Sequence, residues 1–83
     1  MDNCLFCRII GGEIPSERVY EDDTCIAIRD IDPQAPTHLL IMPKRHVASV
    51  SQLTDAEMAG RLLLAARDIA ARLGIESYRL VVN

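Results

Sequence analysis

The chain has no tryptophan and only three aromatic residues, Phe6, Tyr20 and Tyr78, so its core has to be built from aliphatic side chains. It also lacks a long apolar run. The longest, "LLLAA" at 62–66, is five residues, far short of the ~20 that cross a bilayer, so no membrane span is expected. Its longest basic run is Lys44-Arg45 and its net charge is -3, which argues against a nucleic-acid face but not against a small nucleotide held in a pocket. The opening "MDNCLFCRII" has neither a basic n-region nor an apolar h-region, so no secretory leader is expected and the chain reads as cytoplasmic. Three cysteines, Cys4, Cys7 and Cys25, are an odd count. In a reducing compartment that favours thiols or metal ligands over disulfides.

With 83 residues, 49% hydrophobic and 25% charged, the chain suits one small globular domain spanning 1–83. A domain of this size is often helped by a metal or a partner subunit. Residues 3–12 predict a short helix, capped by Asn3, stopped by Gly11-Gly12 and carrying Leu5, Phe6, Ile9 and Ile10 as its apolar stripe. "RVYE" and "TCIAIRD" predict a hairpin over 18–30, and "THLLIM", fenced by Pro36 and Pro43, a third strand. Period two puts Ile26, Ile28 and Asp30 on one face, and His38, Leu40 and Met42 on one face of the next strand.

Residues 53–74 predict a long helix, with Thr54 and Glu57 as a capping box, Leu53 and Met58 as a staple, and Gly74 as the stop. Met58, Leu62, Ala65, Ala66, Ile69 and Leu73 recur at helical spacing, and Gly60 suggests a close packing contact. "YRLVVN", 78–83, predicts a final strand. Its apolar character suits a central position, yet nothing follows to cover its far edge, so the chain reads as unfinished, dimeric or both. The order gives an α+β fold with an antiparallel meander sheet, a short N-terminal helix and one long helix.

Two groups of residues can carry chemistry. Cys4-x-x-Cys7 on a helix places two sulfurs on one face, which fits half a zinc site, buried thiols or a redox pair. His46 would make three ligands, one short of a structural zinc site; otherwise it is a solvated loop residue. Cys25 is either the fourth ligand or core. Asp30 and His38 end neighbouring strands and can converge at one end of the sheet. A carboxylate there can accept two ribose hydroxyls, with Ile28, Ile31 and Leu40 flanking a base. Equally, Asp30 can cap its own loop and His38 can be an ordinary core or edge histidine.

The segments "CLFCRIIGGEIPSERVYEDD", "IRDIDPQAPTHLLIMPKRH" and "YRLVVN" together resemble the histidine-triad (HIT) family, most closely its nucleotide-binding branch. The resemblance runs from Cys4 to Asn83. It implies a homodimer joined through the long helix and the last strand. It also implies a purine-nucleotide hydrolase, acting on phosphoramidates or related bonds at the α-phosphorus through a histidine nucleophile. By resemblance, Asp30 binds the ribose, and Phe6, Ile9, Ile14, Ile28, Ile31 and Leu40 surround base and sugar. Asn83 lies near the phosphate, and His38 supports the nucleophile. Cys4, Cys7 and His46 match the zinc ligands of zinc-binding members. Arg29 stands where relatives often have histidine. The family's His-x-His-x-His motif lies downstream of "YRLVVN", and the only two histidines here are His38 and His46. The nucleophile, the phosphate-binding loop, a fifth strand and the fourth zinc ligand are therefore expected to be absent from these residues, leaving the domain incomplete. The alternative is a zinc-stabilised binding or structural module without catalysis.

Overall fold

A computed structural model describes residues 4–30, 32–47 and 49–82. The chain divides into two compact units, one ending at His46 and the other starting at Val47.

The first unit holds helix α1 (Leu5–Ile10) and strands β1 (Arg18–Glu21), β2 (Cys25–Arg29) and β3 (Leu39–Pro43). The strands form an antiparallel meander in the order β1-β2-β3, as expected. The β1–β2 turn is built by Asp22. Its Oδ1 accepts the backbone N–H groups of Thr24 (2.7 Å) and Cys25 (2.8 Å), and its Oδ2 accepts the Tyr20 hydroxyl at 2.7 Å. The Tyr20 hydroxyl and these amides hold the Asp22 carboxyl down at about 2.

Ile26 pairs with Met42 and Ile28 with Leu40 across the β2–β3 ladder. Ile9 of α1 joins Ile26, Ile28 and Met42 in the core, with Ile10, Ile14 and Leu40 packed against it. This core is wholly aliphatic, as the shortage of aromatics requires. Only the last turn of the predicted α1 stripe reaches it: Leu5 and Phe6 stay exposed. β2 is buried on both faces, since Cys25 and Ala27 are buried as fully as Ile26. A strand covered on both faces reads as a continuous buried run rather than an alternation.

Asn3, the expected cap of α1, lies outside the described residues. Cys4 is the cap, its sulfur accepting the Cys7 N–H at 3.4 Å. Gly11 closes the helix, and Gly12 turns the chain away at φ 85°, a conformation that suits glycine. Arg18 Nη2 donates to the terminal carbonyls of Ile9 (3.0 Å) and Ile10 (3.2 Å), which a helix end leaves without internal partners. Its other nitrogen meets Glu21 at 3.2 Å, and Glu21 meets Lys44 at 2.8 Å. These cations hold the Glu21 carboxyl below its ordinary range, the Lys44 contact first. This chain of charges links α1, β1 and the segment after β3.

The second unit holds a short 3-10 turn (Val50–Gln52) and helix α2 (Ala56–Arg72). The cap of α2 is Asp55, not Thr54: its carboxylate accepts the Met58 N–H at 3.0 Å. A charged oxygen at a helix N-terminus meets both an unpaired donor and the positive end of the dipole. Glu57 is thereby released from the expected box and pairs with Arg61 at 3.0 Å. With Asp55 as the cap, Thr54 rather than Leu53 stands at the position before it, so Leu53 and Met58 do not have the spacing of the expected staple.

Gly74, at φ 71°, completes a Schellman ending, with N–H bonds from Gly74 to Ala71 (3.2 Å) and from Ile75 to Ala70 (2.8 Å). Met58, Ala65, Ala66, Ile69 and Ala70 are buried, whereas Leu63, Leu64 and Leu73 are exposed. A Cβ at Gly60 would meet nothing within 4 Å, so the close contact expected there is not formed.

The strand expected over 78–83 is not present among the described residues. Val81 and Val82 are 77% and 72% exposed, and no ladder includes them. Strand propensity needs a partner's backbone before it becomes a strand. No helix among the described residues is long and apolar enough to cross a membrane.

Two outcomes follow from the caps and turns. Asp55→Ala is expected to lower unfolding stability by about 1 kcal/mol, read from urea titration. The depressed Asp22 carboxyl favours the folded state when ionised. That stability is complete above pH 3.8 and is lost as pH falls through about 2. The loss of urea midpoint between pH 5 and pH 2 should be smaller in Asp22→Asn than in the parent.

Candidate functional site

Both candidate sites lie in the first unit. The first joins the start of α1 to the segment after β3. Cys4 and Cys7 are three residues apart across the first turn, so their sulfurs share a side. Pro43 pairs with Cys25, and the Lys44 N–H donates to the Thr24 carbonyl at 2.8 Å, which steers the chain toward α1. His46 Nδ1 then lies 3.4 Å from Cys4 Sγ and 3.0 Å from Cys7 Sγ.

Among the described residues these are the one group of three such donors, all within 4.8 Å of one another. Zinc–sulfur bonds of about 2.3 Å and zinc–nitrogen bonds of about 2.0 Å in a tetrahedron put neighbouring donors roughly 3.5–4 Å apart. The two sulfur–nitrogen distances, 3.4 and 3.0 Å, fall just inside that spacing. Two sulfurs with an imidazole are the donor set of a soft or borderline cation. The Cys4 thiol lies below its ordinary range because the Cys7 backbone N–H and thiol donate to it; Cys7, the donor in that pair, is pushed up. A thiolate is the form that ligates metal. Cys25 is not in the cluster. It is fully buried on β2, and burial first, with Asp22 nearby, pushes its thiol up to about 11.

The second site closes the far end of the β2–β3 ladder. His38 precedes β3, but its carbonyl accepts the Asp30 N–H at 3.0 Å, so the register continues and the two residues face each other. One face of the ladder thus carries Ile26 and Met42, then Ile28 and Leu40, then Asp30 and His38. Asp30 Oδ2 lies 3.5 Å from His38 Nε2, with their side chains 20% and 31% exposed. Asp30 Oδ1 accepts the Asp32 N–H at 2.9 Å, so the carboxylate also caps its own loop. His38 Nδ1 accepts the Gln34 N–H at 2.9 Å.

The apolar residues expected around a ligand divide. Ile9 and Ile28 belong to the core, Ile14 and Leu40 sit half-buried against it, and Phe6 is exposed. Ile31 and Asn83 lie outside the described residues. Residue patterns did not bring out Gln34, whose contribution is a backbone N–H. A signal for it existed: Pro33 and Pro36 have no N–H, which leaves few donors in the 32–37 loop.

The HIT domain family model matches residues 11–83. The chain belongs to the HIT domain family. An uncharacterized HIT-like protein of Synechocystis sp. is 46% identical over 85 aligned positions, covering 99% of this chain and 75% of that protein. A crystal structure of a HIT family hydrolase from Legionella pneumophila superposes with a TM-score of 0.91 at 48% identity, covering 98% of this chain and 78% of the other. A histidine triad nucleotide-binding protein from Candida albicans superposes with a TM-score of 0.82 at 32% identity, covering 94% of this chain and 54% of the other. The short helix, meander and long helix are thus the HIT arrangement.

Burial of Cys25 has a direct chemical readout. In the native protein Cys25 should resist iodoacetamide, and in denaturant it should be alkylated, as peptide mass mapping would show. Native modification of Cys25 at a rate equal to Cys4 would contradict its placement.

Proposed function

We propose that this chain is the nucleotide-recognising part of a HIT hydrolase acting on purine-nucleotide phosphoramidates or related phosphate bonds. The observation that carries this reading is Asp30, a little-exposed carboxylate facing His38 at the end of an apolar sheet face. A carboxylate so placed accepts the two hydroxyls of a ribose, and the neighbouring aliphatic side chains suit a base. The similarity to the histidine triad nucleotide-binding protein from Candida albicans supports the same ligand class.

The family reaction needs a histidine that attacks phosphorus. Neither histidine here is free for that role. His38 is engaged by Asp30 and Gln34, and His46 by the two cysteines. The nucleophile of the complete reaction is therefore a histidine other than these two. The 83 residues alone are expected to bind but not to turn over.

Cys4, Cys7 and His46 would hold zinc as a structural clip between the start of α1 and the segment after β3. Fixing both to one ion would add stability to a small core. The reading includes a homodimer, supported by the exposed Leu63 and Leu64 on α2 and the bare apolar residues Leu80, Val81 and Val82. Three free cysteines suit a reducing, cytoplasmic setting. The second reading, a zinc-nucleated module without catalysis, is favoured by the closeness of the three donor atoms.

Adenosine monophosphate at about a hundred times its Kd should stabilise the fold by about 2.7 kcal/mol, raising the melting temperature. Asp30→Ala should abolish the shift; a shift that survives that substitution removes the ribose assignment. Turnover of a nucleoside phosphoramidate above a His38→Ala control would overturn the expected inactivity of the 83 residues. Metal analysis settles the clip. Zinc should co-purify, and Cys4→Ser should lose both the metal and thermal stability. Protein free of zinc, with Cys4→Ser as stable as the parent, would make these plain thiols.

A further inference from the structure

The carboxylate of Asp30 has a polar neighbour at each oxygen. On one side Oδ1 accepts the Asp32 N–H at 2.9 Å, and on the other Oδ2 faces His38 Nε2 at 3.5 Å. The imidazole is itself held from behind, because its Nδ1 accepts the Gln34 N–H at 2.9 Å. An imidazole nitrogen that accepts carries no proton, so the neutral ring bears its hydrogen on Nε2. That nitrogen lies 3.5 Å from Asp30 Oδ2, within ion-pair range.

We propose that His38 is a positioning residue for Asp30: held by the Gln34 N–H in its Nε2–H form, it orients the carboxylate to receive both hydroxyls of a ribose. This rests on the nucleotide reading above. A carboxylate has about four lone-pair sites. The Asp32 N–H occupies one on Oδ1 and His38 Nε2 flanks Oδ2 at 3.5 Å, which leaves a free site on each oxygen for a ligand. Two acceptors side by side on a fixed carboxylate match a cis-diol. A carboxylate free to rotate would present the same charge without that fit. The role differs from support of a nucleophile, because here His38 acts through Asp30. Its backbone source is also distinctive. Gln34 lies between two prolines that cannot donate, and the loop is tied at its start by the Asp32 bond.

The two ring nitrogens can be separated by substitution. Glutamine places its amide nitrogen near the position of Nε2, so His38→Gln retains a donor toward Asp30 and loses the acceptor for Gln34. Asparagine places its carbonyl oxygen near the position of Nδ1, so His38→Asn retains the Gln34 bond and loses the donor.

The experiment measures calorimetric affinity for adenosine 5′-monophosphate and 2′-deoxyadenosine 5′-monophosphate in the parent and both variants. A hydrogen bond to a charged acceptor discriminates by about tenfold or more. The parent should prefer the ribonucleotide by that factor. His38→Gln should retain most of the preference, and His38→Asn should bring it close to unity while still folding. Equal preference in both variants, or preference lost alike in both, overturns the proposal. A parent that binds neither nucleotide, or an Asp30→Ala variant that binds as the parent does, overturns the nucleotide reading and the ribose role with it. Nitrogen-15 NMR of the ligand-free protein judges the geometry separately. His38 should show a protonated Nε2 and a bare Nδ1, and a proton found on Nδ1 of the neutral ring overturns the orientation whatever the nucleotide does.

Discussion

The register between β2 and β3 is the constraint on which both sites depend. Ile28 opposite Leu40 and Ile26 opposite Met42 set it, because a slip by one residue would turn those side chains off the core face. Once it is set, the two ends of the ladder follow. At one end the pairing runs on to Asp30 and His38 through a backbone bond of 3.0 Å. At the other, Pro43 reaches Cys25 and the next residues carry His46 to the cysteines of α1. One ladder therefore delivers a carboxylate–imidazole pair and a sulfur–imidazole cluster at opposite ends.

Polar contacts at the rim make this geometry specific where the core alone would not. Asp22 ties three groups of one turn to a single carboxylate. Arg18, Glu21 and Lys44 connect the end of α1 to the sheet edge, an arrangement whose exposed ion pairs are individually weak. Their importance is in direction. They bear on where α1 sits relative to the strands, and α1 with its cap carries two of the three sulfur and nitrogen donors.

The parts legible in the residue pattern were those set by local physics. The hairpin over 18–30, the third strand, the long helix and the glycine stops all follow from periodicity and turn chemistry within a few residues. The separation of His38 from His46 was also legible, since the period of "THLLIM" and the turn after Pro43 send them apart. Harder to read were choices between neighbours with similar chemistry. Thr54 and Asp55 both make good caps, and only the backbone path selects Asp55. Likewise Leu5 and Phe6 share the helical period of Ile9, yet only Ile9 is buried.

The sequence alone determined the two helices, the three-stranded meander, the aliphatic core and the family, because these depend on spacing and on long specific motifs. Tertiary structure alone decided which atoms meet. It placed Cys25 in the core and outside the metal cluster, and it left 78–82 unpaired because a strand needs a partner's backbone. It also set Gln34 behind His38 through a main-chain N–H. That last contact has no side-chain signature, because every residue but proline carries the same donor, and only the folded loop says which one is used.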